Sequence, residues 1–360
     1  MISIAFTGGG SGGHIYPGLA IASRVNKSLP CRIFWIGSGR GMDRAILKNA
    51  GVDFYGIPAG KLRRYFSLLN FIDIFKIFAG FFSAFFILLR EKPVLLFSKG
   101  GFVSVPPCFA AKLLKIPVFI HESDYSPGLS TRLSSRFAER IFIPYKETGA
   151  FFKESIREKT SVSGNPIRLE FSEADPEKGR AFLGLGREER ILLVLGGSQG
   201  SREINNLIRD CLPNITKHYT VIHQTGENQV SESNNALAGM KYKSYAYIRE
   251  EYPHIVAAAE LVLCRSGAGT IWECKSLSKP LILMPLSLSQ SRGDQIENAN
   301  FFQTAGAAVY FTGDSAALSE LIASLANDPD RRKAMGEAKV SEADAGQFIA
   351  EAIIKKIGEV

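Results

Sequence analysis

The chain has 360 residues, of which 46% are hydrophobic and 22% charged, and its formal net charge is +8. This length favours two domains, and the composition is that of a folded globular protein rather than of a disordered one. The positive charge favours anionic partners such as nucleotide phosphates or an anionic membrane. Because the sequence has no run of five basic residues and no zinc-finger or RNP-type motif, we expect no nucleic-acid partner.

The cysteines favour a reducing compartment. They number five, form no CxxC pair and mostly neighbour apolar residues, which predicts buried free thiols. They are Cys31, Cys108, Cys211, Cys264 and Cys274. The N-terminus runs from a short apolar stretch into a glycine loop without the order of charges and apolar residues typical of a signal peptide, so we expect none.

The first half alternates short apolar runs with helix-like stretches, which predicts a parallel sheet covered by helices. The predicted elements are a strand at Ile2–Thr7, a glycine loop at Gly8–His14, a helix at 16–27, a strand at Arg32–Gly37, a helix at 43–50, and strands at Val94–Ser98 and Val118–His121.

After a break at Gly164–Pro166, the second half repeats this pattern. Its predicted elements are a strand at Arg190–Leu195, a loop at Gly196–Ser201, a helix from Arg202, strands at 219–224 and 261–264, a loop at 265–270, a helix through Ser276, a strand at 280–284, and helices near 316–326 and 330–357. Two Rossmann-like halves therefore face each other, and ligands are expected beyond the carboxyl ends of their strands.

The first glycine loop matches GxGxxG at Gly8, Gly10 and Gly13. A dinucleotide site also needs an acidic residue about 20 positions further on, near the end of the second strand. No acid lies there, and Asp43 comes too late, so an NAD site is disfavoured. The anion-binding property of bare amides at a helix N-terminus remains. The alternative is a tight turn between strand and helix that binds nothing.

Two further loops have the same character, at Gly196–Ser201 and Ser266–Thr270. Glu273 follows the latter within the first turns of a helix, where it is placed to accept hydrogen bonds from ribose hydroxyls. The alternative reading of Glu273 is a carboxylate favourably placed near a helix N-terminus. Three such loops indicate two phosphate-bearing substrates rather than one.

Asp328–Asp330 spells DxD, a pattern that some nucleotide-sugar enzymes use to hold a metal. Its setting before a charged stretch instead predicts a turn and a helix cap. The sequence shows no convincing metal-ligand cluster.

A very apolar segment extends from Leu62 to Arg90 and is flanked by basic residues. Its uninterrupted run, Ile77–Leu89, has thirteen residues, whereas a spanning helix needs about 20. Two readings remain: a buried core helix, or an amphipathic element whose basic flank meets anionic lipid. The basic cluster favours a segment that is part core and part interface.

An ordered set of short motifs extends over nearly the whole chain. In order they are Gly8–His14, Lys99–Ser104, His121–Ser123, Gly164–Arg168, Gly196–Gly200, Cys264–Ala268, and Asp294–Gln295 before Asn298–Ala299. A lone glycine loop is weak evidence, but this ordered set is highly specific. It resembles the MurG family of cell-wall N-acetylglucosaminyltransferases.

The resemblance implies an α/β protein with the GT-B fold, in which two Rossmann-like parallel-sheet domains face each other across a cleft. It implies an acceptor- and membrane-binding domain at 1–163 and a UDP-N-acetylglucosamine-binding domain at 164–341. The C-terminal helix, at about 342–358, is a candidate to pack back on the first domain.

The implied reaction is inverting transfer of N-acetylglucosamine from its UDP carrier to undecaprenyl-pyrophosphoryl-N-acetylmuramyl-pentapeptide, for peptidoglycan synthesis. The expected location is the cytoplasmic face of the cell membrane, which the segment Leu62–Arg90 contacts. No cofactor is implied, and other cell-wall synthesis proteins are candidate partners.

The resemblance also assigns donor-binding roles. Arg168, Ser198 and the amides of Ala268–Thr270 are expected at the diphosphate, with the backbone of Ile248 at the uracil. Glu273 is expected at the ribose and Gln295 at the sugar. The full donor-binding set is Gly10, Ser11, Gly12, Gly13, Asp124, Arg168, Ser198, Ile248, Ala268, Gly269, Thr270, Glu273 and Gln295.

The acceptor pyrophosphate is expected on the glycine loops. The acceptor-binding set is Gly12, Gly13, His14, Gly100, Gly101 and Ser104. His14 is the candidate base, because a neutral imidazole takes up protons near neutral pH and a helix N-terminus favours that form. The alternative for His14 is a phosphate donor without proton transfer. Glu122 and Asp124 remain alternative bases.

The chain departs from the family pattern at three places. Asp124 and Asp294 stand where Asn and Gln are common, and Ser104–Pro107 lacks glycines often found there. An ionised Asp124 accepts a hydrogen bond from a sugar hydroxyl but cannot donate one.

Four other functions fit parts of the sequence. An NAD-linked oxidoreductase is opposed by the missing ribose acid, and a UDP-N-acetylglucosamine epimerase by the apolar, basic segment. A glycolipid-forming transferase differs only in its acceptor. A non-catalytic scaffold is disfavoured because His14 and Glu273 are both present.

Overall fold

The computed structural model describes residues 2–10, 12–39, 43–60, 69–197, 199–226, 239–340 and 344–359. It divides into two compact units, one of Met1–Arg168 with Ser341–Val360 and one of Leu169–Val340. Gly164–Arg168 therefore belong with the first unit. Ser11, Ser198 and residues 61–68, which include the basic Lys61, Arg63 and Arg64, lie outside the described residues.

The first unit contains a seven-stranded sheet in the order β3-β2-β1-β4-β5-β6-β7. All its strands pair in parallel. The strands are β1 (Ser3–Thr7), β2 (Arg32–Ser38), β3 (Asp53–Ile57), β4 (Leu95–Ser98), β5 (Val118–His121), β6 (Arg140–Ile143) and β7 (Thr160–Val162).

Helices cover both faces of this sheet. They are α1 (Gly12–Ser28), α2 (Asp43–Asn49), α3 (Leu69–Glu91), α4 (Val105–Leu113), α5 (Leu129–Ser134) and α6 (Glu154–Arg157). α1 begins inside the glycine loop, four positions before the predicted start at residue 16, and continues through Pro17. The prediction was too short because glycine and proline usually mark loops, yet proline is tolerated near a helix N-terminus.

Strand β1 shows how the sequence builds two cores. Side chains of a strand alternate between faces, so Ile4 and Phe6 enter the cluster around Trp35, whereas Ala5 enters the opposite one. The Phe6 and Trp35 rings stack with centroids 5.7 Å apart. Both sheet faces are thus buried, as expected of a parallel sheet.

The second unit contains a six-stranded parallel sheet in the order β10-β9-β8-β11-β12-β13. Its strands are β8 (Ile191–Leu195), β9 (Thr220–Gln224), β10 (Tyr242–Tyr245), β11 (Leu261–Cys264), β12 (Leu281–Leu283) and β13 (Ala308–Tyr310). Its helices are α7 (Pro176–Leu183), α8 (Arg202–Ile215), α9 (Tyr252–Ala258), α10 (Ala268–Ser276), α11 (Asp294–Thr304), α12 (Ser315–Asn327) and α13 (Pro329–Glu337).

The last helix, α14 (Ala345–Gly358), belongs to the first unit, where it packs on α1. Arg24 of α1 pairs with Asp344 at 2.9 Å, and Lys356 pairs with Glu139 at 2.7 Å. The single helix predicted near 330–357 is therefore wrong, because the chain forms α13 and α14 separately. Asp344 caps α14 by accepting backbone N–H groups of Gly346 and Gln347.

The first aspartate of the DxD sequence caps a helix, as predicted. The Asp328 side chain accepts the backbone N–H of Arg331 at 2.9 Å, at the N-terminus of α13. Within the described ranges, no group of three or more His, Cys, Asp or Glu side chains is placed to hold a metal ion.

Candidate active site

The first glycine loop leads from β1 directly into α1, so His14 lies in the first turn of that helix. The imidazole packs against the second glycine loop, after β4. A Cβ added at Gly101 would lie 3.2 Å from His14 Cδ2, and one added at Gly100 would lie 3.9 Å from His14 Nδ1. Both glycines have positive φ, 87° at Gly100 and 84° at Gly101. The fold thus brings His14 onto a bare backbone surface that a side chain would close.

Ser104 stabilises the second loop from within. It is completely buried, and its hydroxyl donates to the Gly101 carbonyl at 2.8 Å. α4 then begins at Val105 with Pro106 and Pro107 in its first turn, a position that suits proline. The departure from glycine in this stretch therefore lies in a helix start.

Asp43, which the sequence spacing placed too late, contacts the first loop directly. Its carboxylate is buried and accepts the backbone N–H of Gly10 at 3.1 and 3.2 Å and that of Ser38 at 3.4 Å. Burial raises the pKa of Asp43, against the effect of these amide hydrogen bonds. A carboxylate thus occupies the Gly10 amide, which leaves Gly12 and Gly13 at the α1 N-terminus as the more suitable anion-binding amides.

Glu122 organises the loop after β5. Its carboxylate accepts backbone N–H groups of Ser123 at 2.8 Å, Asp124 at 3.1 Å and Gly128 at 3.0 Å, and only 6% of the residue is exposed. Because both oxygens already accept amide hydrogens, Glu122 is poorly placed to act as a base. Asp124, beside it, is half-buried.

His121 precedes this loop and is completely buried. Its Nε2 lies 3.0 Å from the Gly164 carbonyl oxygen, so this nitrogen carries the hydrogen. Burial, together with the charge of Lys99, holds the pKa of His121 well below its usual value. His121 is therefore a neutral structural link.

Arg168 ends the first unit. Its guanidinium lies 5.0 Å from the ring centroid of Tyr16 in α1, a cation–π contact. The Arg168 side chain therefore packs against α1, the helix that carries His14.

In the second unit, the loop after β11 opens α10. Gly267 is the N-cap residue and makes no side-chain cap, and no acidic side chain occupies the first turn. The amides at Ala268, Gly269 and Thr270 therefore begin a helix whose N-terminal field is not opposed by a local carboxylate. Glu273 follows, half-buried.

Gln295 in α11 reaches the same loop. A Cβ added at Gly267 would lie 4.0 Å from Gln295 Nε2, and Gln295 Oε1 accepts the Leu286 N–H at 3.0 Å. The neighbouring departure, Asp294, pairs with Arg292 at 3.4 Å. The second unit therefore brings the predicted sugar residue next to the predicted diphosphate loop.

The loops after β8 and β11 are joined by Arg265, which the sequence reading used only as a motif residue. Its guanidinium donates to the Ser201 hydroxyl at 2.8 Å. Burial lowers the pKa of Arg265, which remains a cation at neutral pH. Sequence reasoning missed this positive charge because its partner lies in another loop.

Gln224, at the end of β9, was also missed. It accepts the Ile248 N–H at 3.0 Å and donates to the Gly197 carbonyl at 3.3 Å. Because the Ile248 N–H is already used, a uracil contact with this backbone is expected at the Ile248 carbonyl oxygen.

Sequence models of glycosyltransferase family 28 match this chain twice, the N-terminal domain at residues 4–143 and the C-terminal domain at 191–353. A Treponema denticola protein named UDP-N-acetylglucosamine–N-acetylmuramyl-(pentapeptide) pyrophosphoryl-undecaprenol N-acetylglucosamine transferase is 49% identical over 87% of this chain and 85% of its own length. This chain belongs to the MurG family of family 28 glycosyltransferases.

Solved structures agree on the GT-B fold that the sequence predicted. A crystal structure of Acinetobacter baumannii MurG matches with a TM-score of 0.75 at 24% identity, over 99% of this chain and 100% of that one. A Neisseria meningitidis UDP-GlcNAc 2-epimerase bound to UDP-GlcNAc matches with a TM-score of 0.72 at 14% identity, over 100% of both chains. The fold is thus shared by transferases and epimerases, and membership of the MurG family rests on the sequence.

Proposed function

We propose that this MurG-family protein transfers N-acetylglucosamine from UDP-N-acetylglucosamine to undecaprenyl-pyrophosphoryl-N-acetylmuramyl-pentapeptide, with inversion at the anomeric carbon. The observation that carries this proposal is the 49% identity to a relative named for that transfer. Among the rival functions, the epimerase shares the fold but not this sequence similarity.

The second unit supplies the donor site. The amides at the α10 N-terminus and the Arg265 cation suit a diphosphate. Glu273 accepts hydrogen bonds from the ribose hydroxyls, and Gln295 binds the N-acetylglucosamine. Arg168 of the first unit and Ser198, outside the described residues, complete the diphosphate contacts.

The first unit supplies the acceptor site and the base. The acceptor pyrophosphate binds the amides of Gly12 and Gly13 and the loop at Gly100–Gly101. The acceptor hydroxyl attacks the anomeric carbon as the bond to UDP breaks. His14 takes the hydroxyl proton, and the negative charge on departing UDP is stabilised by Arg168 and the α10 amides.

A membrane surface receives the apolar face of α3. Side chains along one stripe are exposed, with Phe75 at 75%, Phe78 at 60% and Phe86 at 63%. Phe109 and Leu113 of α4 extend the stripe. A patch of this kind is unusual on a monomeric surface and marks an interaction site.

Basic residues lie on the same helices as this stripe. Lys76, Arg90, Lys112 and Lys115 are exposed on α3, on α4 and just after it, although Lys76 also pairs with Asp73 at 3.0 Å and Arg90 with Glu91 at 2.7 Å. A basic residue near anionic lipid contributes about 1 kcal/mol. No helix among the described residues is long and apolar enough to span a bilayer. We propose a peripheral location at the cytoplasmic face of the cell membrane, because the exposed apolar stripe and the basic residues on the same helices suit an anionic lipid surface.

The test is transfer of labelled N-acetylglucosamine from its UDP carrier to a short-chain lipid-linked muramyl pentapeptide. Wild type is expected to form the disaccharide product, and Glu273→Ala to raise KM for UDP-N-acetylglucosamine by about 100-fold, since a charged hydrogen-bond acceptor is lost. Glu297→Ala, which removes a carboxylate that is likewise half-buried, on α11, is the matched control. Epimerised sugar without transfer would instead establish the epimerase.

A further inference from the structure

Lys99 is a buried lysine between β4 and the second glycine loop. Only 2% of it is exposed, and its Nζ donates to the Ser123 hydroxyl. The carboxylates of Glu122 and Asp124 supply the negative charge around it. A buried cation persists only where it is paired and hydrogen-bonded, so these three neighbours account for its position.

The segment that Lys99 contacts is fixed from several sides. The Glu122 carboxylate holds the backbone N–H groups of Ser123 and Asp124. Asn165 Nδ2 donates to the Ser123 carbonyl at 2.8 Å. Of the two carboxylates near Lys99, Glu122 is thus committed to the backbone, whereas Asp124 is half-buried on a fixed backbone. Asp124 is therefore the one of these two carboxylates that keeps partial exposure to solvent.

We propose that Lys99 is a positioning residue that acts through Asp124. Its hydrogen bond to the neighbouring Ser123 and its positive charge orient the Asp124 carboxylate, so that this position binds a substrate hydroxyl or amide N–H and rejects phosphate oxygens. An ionised carboxylate is only an acceptor, which gives the Lys99–Asp124 pair a role in specificity. This inference rests on the proposed transferase activity for its kinetic consequences.

The pair has a pH signature with opposite effects on activity and stability. Burial lowers the pKa of Lys99 to about 8, although Glu122 and Asp124 oppose the shift. Above that pH, Asp124 loses its counter-charge and activity declines. Because the folded state binds this proton more weakly than the unfolded state, the free energy of unfolding contributed by Lys99 rises through the same range. Alkaline inactivation by Lys99 is thus distinct from unfolding.

Two other titratable groups lie near Lys99. The His121 imidazole is held neutral by burial and by Lys99 itself. His14 packs against Gly100 and Gly101, and a residue that acts as a base limits activity at low pH rather than at high pH. Because His121 is already neutral, neither histidine accounts for a decline above about pH 8.

The experiment is a double-mutant cycle on the full chain with Lys99→Met, Asp124→Asn and the double variant. Both kcat/KM for transfer and the unfolding midpoint are measured. We expect Lys99→Met to lower kcat/KM by about 20-fold in wild type but by less than about 3-fold with Asp124→Asn, as expected of coupled neighbours. The double variant should also lose the alkaline decline.

Lys279→Met is the matched control. Lys279 is half-buried in the second unit and donates to the Ala257 carbonyl at 2.6 Å. The fall in kcat/KM caused by Lys279→Met should be the same with or without Asp124→Asn. If Lys99→Met also lowers kcat/KM equally in both backgrounds, the proposal is overturned. If wild type shows no transfer, the proposed function fails, and the pairing is judged by the same cycle in the unfolding midpoint: coupling supports it and additivity overturns it.

Discussion

His14 is the residue on which the proposed chemistry depends. It occupies the first turn of α1 and packs on the backbone of Gly100 and Gly101. Replacing it by glutamine keeps a hydrogen-bonding side chain but removes proton acceptance. We expect His14→Gln to lower kcat by about 10²- to 10⁴-fold, the usual contribution of a positioned base, with KM changed little. The measurement is steady-state transfer kinetics across pH.

The pH profile separates a base from a phosphate donor. Wild-type activity is expected to fall with decreasing pH as the imidazole becomes protonated, and this acid limb should vanish in His14→Gln. If His14→Gln keeps the acid limb and most of kcat, His14 binds phosphate without taking up the proton. Tyr16→Phe, on the same helix, is a control for disturbance of α1.

At this scale the sequence predicted the residues that carry local patterns. Gly100, Gly101 and Ser104 lie together with His14, and their acceptor-binding role, which the resemblance implies, stays a prediction. The cap role of Asp328 is confirmed. The sequence did not reveal Arg265 or Lys99, whose roles arise from partners far along the chain.

Glu122 and Asp43 show a further limit. From sequence position alone, Glu122 is an alternative base, and Asp43 comes too late to be the acidic residue that binds a ribose. In the structure each carboxylate is consumed by backbone amides. Which carboxylates remain accessible is decided by loop conformation, which spacing alone does not define.

Helix α3 is both a core helix and a surface element. Asp73, Gly80, Ala84 and Leu88 form its buried face, and a Cβ at Gly80 would lie 2.3 Å from the Pro58 carbonyl oxygen. The phenylalanines of the opposite stripe are exposed. The sequence left core and interface open; the structure buries one side of the helix and exposes apolar side chains on the other, and the interface stays a prediction.

This stripe predicts lipid binding. We expect Phe75→Ser with Phe78→Ser to weaken binding to vesicles containing anionic phosphatidylglycerol by about 10-fold or more, because two aromatic side chains no longer leave water. Co-sedimentation with the vesicles measures this. Phe182→Ser, which removes an exposed ring from the second unit (45% exposed), is the control. Equal losses in both variants would show general destabilisation instead.

Strand prediction followed burial. The central strands β1, β4, β5, β8 and β11 are continuous apolar runs and were predicted, within a residue or so. The strands missed were β3, β6, β7, β10 and β13. Most are short and lie at or next to a sheet edge, and β3, β7 and β10 are partly exposed. Such strands lack the continuous apolar run that marks a buried parallel strand.

For the whole molecule, the repeated strand–loop–helix pattern predicted two parallel sheets, because each repeat needs its own core. The pattern could not show that α14 belongs to the first unit. That placement depends on Ile349 and Ile353 joining the cluster around Trp35, a contact between the two ends of the chain.

The proposed assignment of donor binding to the second unit predicts where UDP binds. The nucleotide contacts we propose lie mainly in the second unit, at 265–273 and near Gln295. Backbone amides that donate to phosphate exchange slowly. We therefore expect UDP, added to the full chain, to slow hydrogen exchange at 265–273 and 286–295 while residues 99–104 exchange as before. Uridine should protect 265–270 less, because it lacks the diphosphate, and Glu273→Ala should shift UDP protection to higher concentration. Protection confined to the first unit would place the nucleotide there and reverse the assignment of donor and acceptor units.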